Sequence, residues 1–368
     1  TFAAALPTYM ASSFVAQFVP AGMVGLYWAA SGAITAAALL WLPPLLRRYH
    51  NYPVMQTVLG IAVLNSFALA VASDPWTALI GMVVQSLVIT LLAINLDVFL
   101  EDIADVRQVG TTRTMMLTVN NVAWVASPSL MGAIANGERY SLVFLATGLI
   151  LIATLALAVI ARGQLADHVR YRSRHLRQLL AVIKSQPNLR RVVLISVGLK
   201  IFFTVAVLYV PLYLHRDLGF SWPTIGWIFT IMLLPFLILQ FPAGQLADRV
   251  LGEKELLVVG HLVLMIFTGA IAFTHSANPL VWAALLFMTR VGASLIESMH
   301  EVYFFKIIKR SDADLINLFR DLQPVGWLLG SLLAVAVLAV ASMPTLFLVL
   351  AVVPLLALQP TLRLEDTK

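Results

Sequence analysis

The residues with the greatest chemical capacity lie in one apolar run late in the chain. Arg290, Ser294, Glu297 and Glu301 fall at i, i+4, i+7 and i+11, which places all four on one face of an α-helix. The planar fork of Arg290 suits it to hold a carboxylate through two parallel N–H···O bonds. Counted from Pro279 at 1.5 Å per residue, Arg290 stands about 16 Å along that helix, and Glu297 and Glu301 lie further on. Lys200 supplies a second cation roughly 13 Å in from Arg191 by the same rise. Glu297 is the acid of this set placed to take up and release a proton. The structural alternatives are that Arg290 pairs with an acid on a neighbouring helix, that Lys200 stretches to a polar surface, and that Glu297 is the counter-ion of Arg290 or Arg320.

In the first half of the chain the polar residues deep in apolar runs are uncharged: Gln17, Gln85, Asn120 and Asn121. Adjacent Asn side chains cannot share one helix face, so at most one of the pair points the same way as a ligand site. The other is expected to hydrogen-bond a neighbouring helix. Trp124 and Trp327 offer flat faces for an organic solute, against the alternative of plain packing. Asp97, Glu101, Arg113, Arg320 and Asp321 sit at the ends of apolar runs and suit ion pairs near a membrane surface better than solute contact.

Other chemistries leave no mark. The chain has no Cys and only 7 His, none spaced as a helical zinc site. No phosphate-binding loop or dinucleotide fingerprint occurs, so neither a metal nor a nucleotide cofactor is expected. Nor do His, Asp and Ser converge in a pattern that would suggest a membrane-embedded enzyme.

The elements that must position these residues follow from composition. AVILMFWYC residues make up 60% of the 368 residues and DEKR only 11%, with a mean hydropathy of +0.91. Soluble domains carry about a quarter charged residues. A bilayer core about 30 Å thick takes about 20 apolar residues per helix, so the length admits about twelve spans with short loops. Hydropathy places them near 2–19, 22–46, 53–72, 76–99, 112–135, 140–161, 190–214, 222–246, 255–274, 279–303, 315–340 and 343–362. The run at Thr1 lacks a charged leader and is expected to be a first span trimmed at its start, not a signal peptide.

With both termini set in the cytoplasm, most of the 24 Lys and Arg fall in cytoplasmic segments, leaving Arg139 and Arg216 on the opposite face. The net charge of +6 is thus a topology signal, and no nucleic-acid surface is needed to explain it. The longest polar stretch, Arg162 to Arg191, contains the amphipathic piece 175–184, expected to lie along the cytoplasmic surface. It divides the chain into an N-terminal bundle (1–161), a basic linker (162–189) and a C-terminal bundle (190–368).

The halves read as diverged copies. Asp97-Val-Phe-Leu answers to Glu301-Val-Tyr-Phe, and Asn121-Val-Ala-Trp124 to Pro324-Val-Gly-Trp327, in the same order and at nearly the same offset. The loop after the eighth span reads Gly244-Gln-Leu-Ala-Asp248-Arg249-Val-Leu-Gly252-Glu-Lys254. This resembles the Gly-x-Leu-Ala-Asp-Arg-x-Gly-Arg-Lys loop of the major facilitator superfamily, with one extra residue before the second Gly and Glu253 in place of Arg. Its first-half counterpart, Pro44-Leu-Leu-Arg47-Arg48-Tyr-His50-Asn, keeps only the basic character. Ser127-Pro128-Ser-Leu-Met-Gly132 resembles a worn form of the Gly-Pro-x-x-Gly-Gly of facilitator antiporters.

The resemblance implies an all-α membrane protein of twelve helices in two six-helix bundles, with the first, fourth, seventh and tenth helices lining a central cavity. It implies that Gly244 lets two helices approach, and that Asp248 joins a gate cluster with Arg249, Gly252 and Lys254. The expected function is secondary transport of a small organic solute, leaning anionic or amphiphilic, by alternating access, with protons as an optional partner. The rivals are a multidrug-type efflux antiporter and a transporter-like membrane sensor or lipid-handling protein. A monomer in a bacterial inner membrane, both termini cytoplasmic, completes the expectation.

Overall fold

A computed structural model of the chain describes residues 1–39, 41–103, 109–163, 176–308, 315, 318–319 and 322–365. Among them every regular element is helical. Contacts divide the chain into two units, Thr1–Arg172 with Leu214–Trp227, and Ser173–Tyr213 with Ile228–Lys368.

Unit 1 contains α1 (Phe2–Thr8), α2 (Ala11–Val15), α3 (Val24–Leu39), α4 (Leu42–Tyr49), α5 (Asn51–Ala70), α6 (Pro75–Ile103), α7 (Val109–Ile134) and α8 (Tyr140–Ile160). Unit 2 contains α9 (Leu176–Ser185) and α10 (Pro187–Leu212), then α12 (Gln240–Arg249), α13 (Glu253–Ile271), α14 (Pro279–Ile307), α15 (Gln323–Leu338) and α16 (Met343–Leu362). Helix α11 (Trp222–Ile238) begins among the residues of unit 1 and ends among those of unit 2.

Among the described residues, eight segments are long and apolar enough to cross a membrane: 51–70, 75–96, 140–160, 187–217, 222–247, 253–271, 279–307 and 343–362. Of the other expected spans, Val24–Leu39 and Gln323–Leu338 are shorter apolar helices. The fifth corresponds to α7, and the first is broken into α1 and α2.

Proline sets several of these departures from the expected runs. The ring of a helical proline collides with the carbonyl four residues back. The run 22–46 is divided into α3 and α4, with Pro43 in the first turn of α4. The run 222–246 stops at Ile238, four residues before Pro242, and restarts as α12. Pro324, expected inside a helix, instead opens α15, where its missing N–H costs nothing. Pro128, Pro211, Pro235, Pro354 and Pro360 stay within helices.

The helices of unit 1 are joined by a few internal polar bonds across an aliphatic core that includes Leu46, Val58, Leu59, Val88 and Leu151. Buried Asn51 donates to the carbonyl of Asn95 at 2.9 Å, joining α5 to α6. Tyr27 donates to Leu79 at 2.7 Å and Tyr52 to Ala158 at 3.1 Å, tying α3 to α6 and α5 to α8. Such bonds satisfy polar groups that lipid could not.

In unit 2 small residues bring backbones together. An added Cβ at Gly292 would stand 2.6 Å from the backbone nitrogen of Leu264 and 2.7 Å from the carbonyl oxygen of Gly260, so α13 and α14 touch backbone to backbone. At one end of this unit Lys306 of α14 bonds the buried carboxylate of Glu253 at the start of α13. Nearby, Asn188 donates to Glu365 at 2.7 Å and Tyr303 to the Glu365 carbonyl at 2.8 Å, fastening the end of the chain to α10 and α14.

Helix α6 opens with Asp74 at its cap, Pro75 next, and the Thr77 N–H donating to the Asp74 carboxylate at 2.9 Å. The side chain and then the backbone of Thr77 hold the Asp74 pKa below its ordinary value. A carboxyl with a depressed folded pKa contributes stability above its unfolded pKa and loses it as pH falls through the folded value. Stability is therefore expected to lose the contribution of this cap below about pH 4. Asp74→Ala should lower the melting temperature by about 1–2 °C at neutral pH and by less in acid. An equal loss at both pH values would show that the carboxylate contributes nothing as an ion.

Candidate functional site

Unit 2 brings together four of the residues picked out by type and spacing. Helix α14 is capped by Asn278, whose side chain accepts from Leu280 N–H at 3.0 Å, with Pro279 following. From that start its polar face presents Arg290, Ser294 and Glu297, and α10 presents Lys200. Lys200 Nζ lies 3.9 Å from Glu297 Oε1, with side-chain exposures of 19% and 26%. The pair is long and partly open, so each group can change partner. Lys200, on another helix, is a neighbour of Glu297 that spacing along one helix could not show.

Arg290 is 2% exposed. Its guanidinium lies 5.1 Å from the centroid of the Phe202 ring and 5.8 Å from that of Phe203. A desolvated cation over aromatic faces gains about 2 kcal/mol, which offsets part of the cost of placing it among apolar helices. Lys200 Nζ is 5.8 Å from the same Phe203 ring. Phe203 in turn tilts against Phe236 of α11, centroids 6.1 Å apart at 55°. Ser294 is buried and donates to the Val291 carbonyl at 3.0 Å, within its own helix.

Lys200 is seated by α15. Gly326 and Gly330, four residues apart, lay that helix on α10. A Cβ on Gly326 would fall 2.5 Å from Lys200 Cβ and 2.8 Å from its carbonyl carbon, and one on Gly330 would fall 2.9 Å from Thr204 Cβ. Half-buried Trp327 follows Gly326 on the same helix.

The first-half candidates form no comparable set. Gln85 is buried and accepts from Asn65 at 3.0 Å, while the same Asn65 amide reaches Gly81, so its amide oxygen joins α6 to α5. Asn120 meets the Thr1 hydroxyl at 2.9 Å, and Asn121 beside it is half-buried. Trp124 packs edge-on to Tyr9, centroids 6.5 Å apart, at the break between α1 and α2. Gln17 was expected deep in a first helix running to residue 19. Because α2 ends at Val15, Gln17 lies exposed beyond it and reaches Glu138 at 3.4 Å in the α7–α8 connection.

Glu138 also faces His215 Nε2 at 3.5 Å, and the other ring nitrogen of His215 lies 2.9 Å from the Phe220 carbonyl. Arg216 donates to the Ala16 carbonyl at 2.9 Å, and Trp222 to the Tyr140 hydroxyl at 3.1 Å. Gly226 of α11 meets α7 so closely that a Cβ there would stand 2.6 Å from the Pro128 carbonyl oxygen. Gly132, quoted above for its antiporter-like context, lies at this same crossing.

In the loop signature, Gly252 has φ of 101° at the cap of α13, a conformation for glycine. Gly244, implied to permit close helix approach, has nothing within 4 Å of an added Cβ and sits inside α12. Arg249 ends α12 exposed, Lys254 is half-buried in the first turn of α13, and Glu301 is exposed on α14. The side chains of Asp97, Glu101, Arg113 and Asp248, and residues Arg320 and Asp321, lie outside the described residues.

Sequence reasoning missed the aromatic residues beside Arg290 and the buried Glu253–Lys306 pair. Glu253 had stood out only as a departure from the loop pattern. Phe202, Phe203 and Phe236 carried no signal among 19 Phe spread over apolar helices.

No curated protein matches the chain closely enough to lend a comparison. The family model described as Major Facilitator Superfamily matches residues 1–299 and, overlapping, 192–367. With an all-helical architecture rich in apolar spans and a charged set inside unit 2, the chain belongs to the Major Facilitator Superfamily, a family of membrane transporters and not of enzymes.

Proposed function

We propose that this protein is a secondary transporter of a small organic solute, anionic or amphiphilic, working by alternating access. The observation that carries the reading is the grouping of Arg290, Lys200 and Glu297 on α14 and α10 within apolar helices. Ionisable groups in such segments are costly and mark solute or ion paths. Arg290 and Lys200 supply two cations that can answer the charge of an organic anion. The loose Lys200–Glu297 contact supports an exchange in which a solute carboxylate displaces Glu297, and the freed acid takes up a proton.

In this reading residues 1–161 and 190–368 are two six-helix bundles joined by the basic linker 162–189, twelve spans in all. Both termini are cytoplasmic, the membrane is a bacterial inner membrane, and the working unit is a monomer. Trp124, Trp327, Asn120 and Asn121 are further solute contacts. Gly244, Asp248, Arg249, Gly252 and Lys254, with Asp97, Glu101, Arg113, Glu301, Arg320 and Asp321, serve the cytoplasmic gate.

A thermal-shift screen of purified protein against organic anions and lipophilic cations tests this. Organic anions should raise the melting temperature, and proteoliposomes should take up the stabilising anion faster under an inward proton gradient. Stabilisation by lipophilic cations alone would overturn the anion reading. It would favour the efflux reading that the Ser127–Gly132 segment supports.

A further inference from the structure

The polar groups at Arg290 are bordered by aromatic rings on two helices, and these rings specify more than charge. Phe202 and Phe203 lie with centroids 5.8 Å apart at 55°, and Phe203 and Phe236 lie 6.1 Å apart at 55°. The three form a tilted series running from α10 to α11, with Arg290 beside its first two members and Lys200 beside the second. Phe202 is buried, whereas Phe203 and Phe236 are half-buried, so these two keep surface available to a ligand. Phenyl faces stabilise a cation without bringing a formal negative charge, and leave the site attractive to an anion.

We infer that the solute is a planar aromatic carboxylate, its carboxylate at Arg290 and Lys200 and its ring against Phe203 and Phe236. This rests on the organic-anion transporter reading and narrows it. An aliphatic acid of equal size satisfies the two cations but cannot extend the tilted aromatic series. A ligand ring adds an edge or offset contact worth about threefold to tenfold in affinity.

The test titrates the full chain in lipid nanodiscs with benzoate, with cyclohexanecarboxylate and with benzamide. The second keeps the charge and nearly the size but lacks the π face; the third keeps the ring but lacks the charge. The expected result is benzoate tighter than cyclohexanecarboxylate by about threefold to tenfold, with benzamide unbound. Phe203→Leu and Phe236→Leu should each shrink that ratio toward one. Equal binding of the two carboxylates by the unaltered protein overturns the aromatic class and leaves the organic-anion reading standing. Binding of benzamide as tight as benzoate overturns the role of the two cations. Failure of both carboxylates, with tetraphenylphosphonium bound instead, overturns both readings. The decisive ratio is measured on the unaltered chain, so a variant that fails to fold does not remove the test.

Discussion

Replacing Arg290 with alanine is expected to weaken binding of an organic anion by about tenfold to a hundredfold and to cut transport in proportion. The magnitude follows from a charge-assisted contact made out of water, where an unanswered carboxylate is expensive. Arg290→Lys should fall between, because it keeps the charge and loses the bidentate fork. Lys200→Ala should cost less than Arg290→Ala, since Lys200 already has Glu297 at 3.9 Å and both are partly exposed. Isothermal titration on folded protein checks the order. Undiminished anion affinity in Arg290→Ala would reduce Arg290 to a packing element held by Phe202 and Phe203.

A large effect on stability is expected at Gly326. A Cβ added there would meet Lys200 Cβ at 2.5 Å and the Lys200 carbonyl carbon at 2.8 Å, and backbone cannot turn aside as a side-chain tip can. Gly326→Val should push α15 off α10 and destabilise the protein by about 3 kcal/mol, the upper range for overpacking. Because Lys200 is the residue struck, anion affinity should fall with stability. Gly60→Ala is the control: nothing lies within 4 Å of its added Cβ inside α5, so alanine should be neutral or slightly stabilising. Gly244→Ala should behave like the control, against what the loop resemblance implies. Melting temperatures of the three variants in one detergent decide it; a Gly326→Val that melts with the parent would disprove the tight crossing.

Much of the fold was legible because apolar helices long enough to cross a bilayer announce themselves in composition, and α5, α6, α8, α13 and α14 fall close to where hydropathy puts them. The break after Ile238 was present in the sequence too, four residues ahead of Pro242. Hydropathy averages over that detail, so the two helices read as continuous. The helical face carrying Arg290, Ser294 and Glu297 was readable from spacing alone. Its partners were not. The approach of Lys200 to Glu297 depends on how α10 and α14 pack, and nothing local to either residue encodes that. Gln85 was readable as a polar residue deep in an apolar run, but the Asn65 amide beside it was not.

The chain order and the grouping of residues do not coincide. Residues 214–227 group with unit 1 although they follow α10 of unit 2 and run on into α11, which ends in unit 2. Seen as gene fragments, a cut between residues 172 and 173 therefore does not release two self-sufficient pieces. The first piece alone leaves Gly132, Tyr140 and Glu138 without the segment that covers them. The second piece alone carries an orphaned strap bearing Trp222, His215 and Gly226. Only together do the two pieces contain every residue of unit 1.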